Sequence, residues 1–282
     1  MELFAVETGN FKLDGGAMFG VVPKSIWNEI YPADENNLCS WAMRCMLVVD
    51  GDRKILIDNG IGNKIDPKFI RNYQLFGDHS LEKSLNNLGY SPNDITDMVL
   101  THLHFDHCGG SIKYNENKEL VTTFPNATYH ISKQQWEWAN NPNRREKPSF
   151  LKENIEPIMQ SGQLQLFNKE HDLFPNFYVK LLNGHTDGQV IPHISVDERT
   201  FVFGADFFPS MAHIPMPYIM AYDTRPLITL EERKVFFEEA VKNDYILFFE
   251  HDIYNECCTI QDTEKGVRSK ESFTLDKYFG RN

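Results

Sequence analysis

The chain has 282 residues, 28 basic against 40 acidic side chains for a net charge of −12, and 13% aromatic residues. That length lies between one and two domains and leaves ample chain for a large core. The acidic balance repels phosphate backbones and anionic bilayers, which argues against nucleic acid or a membrane as partner and favours a small, neutral or apolar one. No uncharged apolar stretch approaches the roughly 20 residues a spanning helix needs. Cys39, Cys45, Cys108, Cys257 and Cys258 are odd in number, lack C-x-x-C spacing and include an adjacent pair, the usage of a reducing compartment. Met1 to Glu7 carries an early acid and no basic-then-apolar signal, so a cytoplasmic location is expected.

Short apolar runs recur, most of them followed by a turn or a candidate ligand. Ala42 to Val49, Asp50-Gly51-Asp52 and Lys54 to Asp58 predict a β-hairpin with an Asp-Gly turn. The aromatic-bearing loop from 61 to 78, with Phe69, Tyr73 and Phe76, is a candidate lid. His79 to Leu88 carries leucines at 81, 85 and 88 and stops at Gly89, which predicts a helix. Ser91-Pro92 then leads into the strand-like run Met98-Val99-Leu100. Ala127 to Ile131 predicts a strand, and Ser132-Lys133-Gln134-Gln135 a capping box opening a short helix through Trp136 and Trp138. Three further strands are expected: Phe177 to Leu182 ends at Asn183-Gly184-His185, Thr200 to Gly204 at Ala205-Asp206, and Tyr245 to Phe249 at Glu250-His251. Thr229-Leu230-Glu231-Glu232 predicts the cap of a helix running to about Asn243, with Val235, Phe236, Ala240 and Val241 on its buried face.

The densest signal is Thr101-His102-Leu103-His104-Phe105-Asp106-His107-Cys108-Gly109-Gly110, which places four metal-ligating side chains in six positions. In an extended backbone alternate side chains share a face, so His102, His104 and Asp106 point one way while His107 turns off where the strand ends. Gly109 and Gly110 would let the backbone fold tightly around an ion. Exposed loops collect His and Asp by chance, but three of the ten histidines fall in this one window. Cys108 reads as a small buried neighbour.

His102, His185, Asp206 and His251 each stand beyond the end of an expected strand, so parallel placement would gather them at one rim, where sheet-anchored loops carry active sites. With no linker or repeat between them, one domain over 1–282 is expected. Strands in both halves with interspersed helices favour an α/β (α+β) architecture of sheets covered by helices. Pattern alone does not choose between a doubly wound sheet and a sandwich. Imidazole and carboxylate donors without thiolate suit Zn²⁺ or a comparable first-row ion, iron, manganese or cobalt included.

The ligand segment resembles the signature of the metallo-β-lactamase superfamily. The resemblance implies an αββα sandwich of two mixed sheets flanked by helices, and two divalent metal ions. His102, His104 and His185 match the first site, Asp106, His107 and His251 the second, and Asp206 the carboxylate that bridges both. Two ions about 3.5–4 Å apart share a hydroxide whose parent water has a pKa lowered towards about 7, with Asp106 and Asp206 as the catalytic carboxylates. An aspartate at the bridge, where β-lactam-cleaving members have cysteine among the second-site ligands, disfavours a β-lactamase.

The stretch Asp14-Gly15-Gly16-Ala17-Met18-Phe19-Gly20, with Pro23 and Tyr31-Pro32-Ala33-Asp34, resembles the branch of the N-acyl homoserine lactonases and methyl parathion hydrolase. That resemblance implies hydrolysis of a small neutral or apolar lactone or ester, with a homodimer left open. Such lactonases place a carbonyl-polarising tyrosine three residues past the bridging aspartate, where this chain has Pro209. His213, Tyr218 and Tyr222 are candidates for that duty. Met18, Phe19, Phe105, Phe207, Phe208, Met211 and Met216, with His213 and Tyr218, are the candidate substrate wall. Phosphotriesterase and glyoxalase II-like thioesterase activities are the alternatives within the family, and a non-catalytic metal sensor is the alternative outside it.

Overall fold

The computed structural model describes residues 1–281, which divide into two compact units. The first consists of Met1–Asn10 and Met43–Lys169, the second of Phe11–Ala42 and the chain from Glu170 onward.

In the first unit a mixed six-stranded sheet has the order β1-β2-β3-β4-β7-β8. Its strands are β1 (Glu2–Asp14), β2 (Leu38–Asp50), β3 (Arg53–Ile57), β4 (Asp97–Val99), β7 (Thr128–Ser132) and β8 (Leu164–Phe167), with β1 and β2 each running on into the second unit. A separate hairpin joins β5 (Ile112–Tyr114) to β6 (Leu120–Thr122). The expected hairpin is present: Asp50 pairs with Arg53 across Gly51-Asp52, where Gly51 takes φ 58. β3, β4, β7 and β8 run parallel. Ile55, Leu56, Ile57, Met98 and Val99 are at most 1% exposed, the continuous apolar runs that parallel strands show.

The helices of this unit are α3 (Pro67–Ile70), α4 (Leu81–Asn87), α5 (Phe105–Cys108), α6 (Lys133–Asn140) and α7 (Lys152–Gln160). α4 starts two residues later than its leucine spacing suggested, because the Ser80 side chain caps it by accepting from the Lys83 N–H. Ser132 likewise caps α6, accepting from Gln135 N–H at 3.0 Å.

The second unit holds a mixed seven-stranded sheet, β15-β14-β13-β12-β11-β10-β9. These are β9 (His171–Phe174), β10 (Phe177–Leu182), β11 (Gln189–Val196), β12 (Arg199–Phe203), β13 (Ile246–Phe248), β14 (Cys257–Gln261) and β15 (Arg268–Phe273). β10 and β12 are each antiparallel to β11, and β12 is parallel to β13. The three strands that precede His185, Asp206 and His251 therefore point the same way. Helices α1 (Gly15–Phe19), α2 (Lys24–Ile30), α8 (Pro226–Lys242) and α9 (Leu275–Tyr278) complete the unit.

α8 lays Phe236, Phe237 and Ala240 into a core with Ile191, Val202, Phe208, Leu247 and Phe249. Each such large side chain contributes about 1.5–3 kcal/mol by leaving water. Two expectations for this helix need correction. It begins at Pro226, not after Thr229, because proline at the first turn supplies the helical φ without a missed N–H. Thr229 lies inside the helix, and the Glu232 carboxylate accepts from the N–H groups of Asn183 and Gly184 rather than closing a cap. Val235 is 65% exposed, while Arg233 takes an interior place at 0%.

No described cysteine is in a disulfide. Among the described residues no helix is long and apolar enough to cross a membrane.

Candidate functional site

In the first unit the ligand segment leaves the sheet earlier than its alternation implied. β4 ends at Val99, His102 and His104 follow in non-helical backbone, and Phe105 to Cys108 form the single helical turn α5. Asp106 and His107 are thus displayed by a helical turn, which aims neighbouring residues about 100° apart instead of to opposite faces. His102 Nε2 and His104 Nδ1 lie 3.0 Å apart, and His107 Nε2 is 3.7 Å from Asp106 Oδ2. His102 and His107 are 0% exposed, His104 and Asp106 8%.

Gly109 and Gly110 lie against another stretch of backbone. A Cβ on Gly109 would stand 2.2 Å from the Ile61 carbonyl oxygen, and one on Gly110 2.2 Å from that of Asn59. The glycines admit the backbone of 59–61 against the ligand turn, and hydrogen bonds seal the approach: Asn59 N–H to His107 O at 2.9 Å, Gly110 N–H to Gly60 O at 2.9 Å. The Lys64 ammonium donates to Gly109 O from a buried position. Cys108 is the buried neighbour it was expected to be; burial pushes its thiol up to about 12, so it stays protonated and donates to Leu103 O.

The second unit gathers His185, Asp206 and His251 on its own. Asp206 faces both histidines: Oδ2 is 3.0 Å from His185 Nε2 and Oδ1 is 3.0 Å from His251 Nε2. Each oxygen of one carboxylate thus meets a different imidazole, the disposition a bridging ligand requires. Ala205, just before it, has φ 42 in the left-handed region, a strain of order 1–3 kcal/mol that aims the following side chain. Burial would lower the pKa of His185, but Asp206 and Asp223 on its two sides raise it to about 10. That corner favours positive charge, the electrostatic condition a divalent cation meets.

The five histidines share one arrangement, in which the ring nitrogen turned away from the other ligands is held by an acceptor. His107 Nδ1 donates to Asp58 at 3.1 Å, His185 Nδ1 to Asp223 at 2.9 Å and His251 Nδ1 to the Ala42 carbonyl at 2.8 Å. His104 Nε2 is 3.0 Å from Glu146, and His102 Nδ1 is 3.0 Å from the Thr101 hydroxyl, which itself donates to Asp58. Such bonds fix tautomer and ring orientation and direct one lone pair towards a metal. The donor set therefore fits divalent ions. Asp58, Asp223 and Glu146 are the partners of these histidines that sequence reasoning missed. Asp58 carried a usable signal, an acid closing the apolar run Ile55-Leu56-Ile57; Asp223 and Glu146 lie in irregular segments and carried none.

The expected substrate wall divides. Phe207 and Phe208 sit in the α8 core, and the Phe208 ring fills the place a Gly204 side chain would take. Phe19 is stacked between Trp27 and His213, with centroids 5.1 and 4.9 Å away, beside fully buried Met18. His213 takes from Ser210 Oγ at 2.7 Å and gives Nε2–H to Met18 O at 2.9 Å, so both ring nitrogens are engaged. Met211, Met216 and Tyr218 are half-buried, and Tyr222 is 42% exposed. Phe105 packs edge-on to Phe69 at 5.0 Å and near Tyr73 at 4.9 Å, so the candidate lid touches the ligand turn through aromatics. Pro209 accepts from the His251 N–H at 3.1 Å.

Histidines and aspartates that could hold a metal ion stand on strand-end turns of a mixed α/β fold, the arrangement of a metallohydrolase. The profile of the metallo-beta-lactamase superfamily matches residues 44–251, and the chain belongs to that superfamily as a metal-dependent hydrolase. It is 23% identical over 272 residues to an N-acyl homoserine lactonase of Bacillus cereus, covering 90% of this chain and 94% of that one. Among solved structures, a probable metal-dependent hydrolase from Staphylococcus aureus superposes with a TM-score of 0.89 at 28% identity, covering 97% of this chain and 96% of that one. The dizinc quorum-quenching lactonase AidC, with a product N-hexanoyl-homoserine, shares the fold at a TM-score of 0.79 and 23% identity, with coverage of 96% and 95%.

Proposed function

We propose that His102, His104, Asp106, His107, His185, Asp206 and His251 together hold two divalent ions, zinc in the first instance, and that the enzyme opens lactones or cleaves related esters. The observation that carries this reading is the orientation of the five histidines, each anchored at one ring nitrogen with the other turned towards a neighbouring candidate ligand. When bound, the two ions supply Lewis acidity and a water acidic enough to attack near neutral pH.

The chain's own residues do the rest. Asp206, with one oxygen towards each imidazole, would be the carboxylate shared by the two ions. Asp106, at the head of α5 and 8% exposed, takes the proton of the attacking water and returns it to the leaving alkoxide. Met211 and Tyr218, both half-buried, have surface left to meet an apolar acyl group; Phe19, Phe105, Phe207, Phe208 and His213 are committed to internal contacts. The relatives named as N-acyl homoserine lactonases support an acyl lactone as the substrate class.

Pro209, bonded to the His251 backbone where a carbonyl-polarising phenol is expected, favours a second reading: an ester or phosphotriester whose leaving group departs without that phenol. A pH-indicator screen over acyl lactones, aryl esters, thioesters and phosphotriesters, on protein reloaded with zinc, manganese, cobalt or iron, tests both. Lactone turnover that rises with acyl length and vanishes on chelation is the expected result. Turnover indifferent to metal removal, or metal binding without turnover on any substrate, would sink the proposal.

A further inference from the structure

His104 differs from the other four histidines in the nitrogen it presents. The others anchor Nδ1 and turn Nε2 inward, whereas His104 turns Nδ1 towards His102 and anchors Nε2 on Glu146 Oε1 at 3.0 Å. Glu146 lies forty-two residues further along the chain and is only 4% exposed. It is itself held: Trp138 Nε1–H donates to Oε2 at 2.7 Å, Asn143 Nδ2 approaches the same oxygen at 3.4 Å, and the Glu146 N–H donates to Asn143 Oδ1 at 2.9 Å. Helix α6, which carries Trp138, also carries buried Gln135, whose Oε1 accepts from the Leu103 N–H between the two histidines at 3.4 Å. Phe150 closes the far side with its ring 4.9 Å from that of His104.

From this geometry we infer that Glu146, braced by Trp138, is a positioning residue that fixes His104 as its Nε2–H tautomer and so commits Nδ1 to the metal. The inference rests on the ligand set proposed above and deepens it: α6 and the 143–150 turn become part of the metal centre although they carry no ligand. A buried carboxylate behind an imidazole also makes the ring a stronger donor, and loss of such a partner typically costs about 10–100-fold in metal affinity. Glutamine at 146 keeps an acceptor oxygen without the charge; alanine keeps neither.

Two measurements decide it. Long-range ¹H–¹⁵N correlation spectra of the metal-free protein read the His104 tautomer directly, and competition against a chromophoric chelator reads zinc affinity. Glu146→Ala should give a mixed or Nδ1–H tautomer at His104 and weaken one of two zinc equivalents about 10–100-fold. Glu146→Gln should restore the Nε2–H tautomer and most of the affinity, and Trp138→Phe should fall between. An unchanged tautomer in Glu146→Ala, with both zinc equivalents bound as tightly as in the wild type, overturns the inference. A wild-type chain that binds no zinc overturns the ligand assignment instead, and the tautomer spectrum still decides the role of Glu146.

Discussion

The two units present their candidate ligands in opposite ways. The first compresses His102, His104, Asp106 and His107 into one segment at the end of β4, whereas the second spreads His185, Asp206 and His251 over the ends of β10, β12 and β13. A compressed set depends on the shape of one turn, held from behind by the 59–61 backbone and from the side by α6. A dispersed set depends on strand register: His185, Asp206 and His251 meet only because β11, β12 and β13 pair as they do. The difference teaches that a ligand cluster is as robust as whatever fixes its backbone, a local packing contact in one case and a sheet in the other.

The largest effect is expected where the dispersed set has no substitute. Asp206→Ala removes the carboxylate that faces both His185 and His251, and hydrolysis should fall below about one-hundredth of wild type, since loss of even an outer partner of a ligand costs about 10–100-fold. Steady-state rates on metal-loaded protein check this, with His104→Ala as the counterpart from the compressed set. The two sets are equally indispensable only if both variants lose activity to the same extent.

Next come the anchors. Asp58→Ala frees His107 and loosens Thr101 behind His102, while Asp223→Ala frees His185 alone. Chelator competition should show Asp58→Ala weakening zinc binding at least as much as Asp223→Ala, within about 10–100-fold each. A larger loss from Asp223→Ala would mean that the compressed turn holds its histidines without help.

Packing separates the units at a smaller scale. Gly109→Ala presses a methyl into the Ile61 carbonyl, and Gly184→Ala presses one into the Thr229 backbone at 2.5 Å. Each should cost about 1–3 kcal/mol in denaturant unfolding. Gly109→Ala should also lower zinc affinity, because the turn it displaces is the ligand turn itself. Equal affinity in both variants would dissolve the contrast drawn above.

The smallest effect concerns pH and the second unit. Burial lowers the pKa of His193 from an ordinary 6.5 to about 4, while its Nδ1 donates to Ile191 O. Below 6.5 the unfolded chain binds this proton and the folded chain does not, so stability is present above that pH and drains away as pH falls towards about 4. Urea midpoints measured across that window should decline, and His193→Gln should flatten part of the decline. A midpoint that holds constant down to pH 4 would contradict it.

The sequence made the compressed set plain because all its members fall in one window, and it made the dispersed set traceable because each ligand ends an apolar run. The hairpin at Gly51, the cap at Ser132 and strand β10 were equally legible, since each is written in adjacent residues. What it concealed was whatever needs the third dimension. Nothing local distinguishes Glu146 or Asp223 from an ordinary loop acid, and nothing local says that Gly109 makes room for another backbone. The start of α8 was misplaced because Thr229-Leu230-Glu231-Glu232 imitates a cap, while Pro226 and the pull of Asn183 and Gly184 on Glu232 decide otherwise.

Arg233 has a consequence for how this enzyme's recognition can drift. From the interior of α8 its guanidinium donates to the carbonyls of Phe207, His213 and Tyr218, three points along the segment that follows Asp206. All three bonds go to main chain, so they are blind to which side chains the segment carries. Residues such as Met211, half-buried between those clamps, are therefore free to be exchanged while the path stays fixed. Changes in length between the clamps are not, since the planar fork sets their spacing. A lineage, or a designer, could retune this face by substitution alone and would meet resistance only on inserting or deleting a residue.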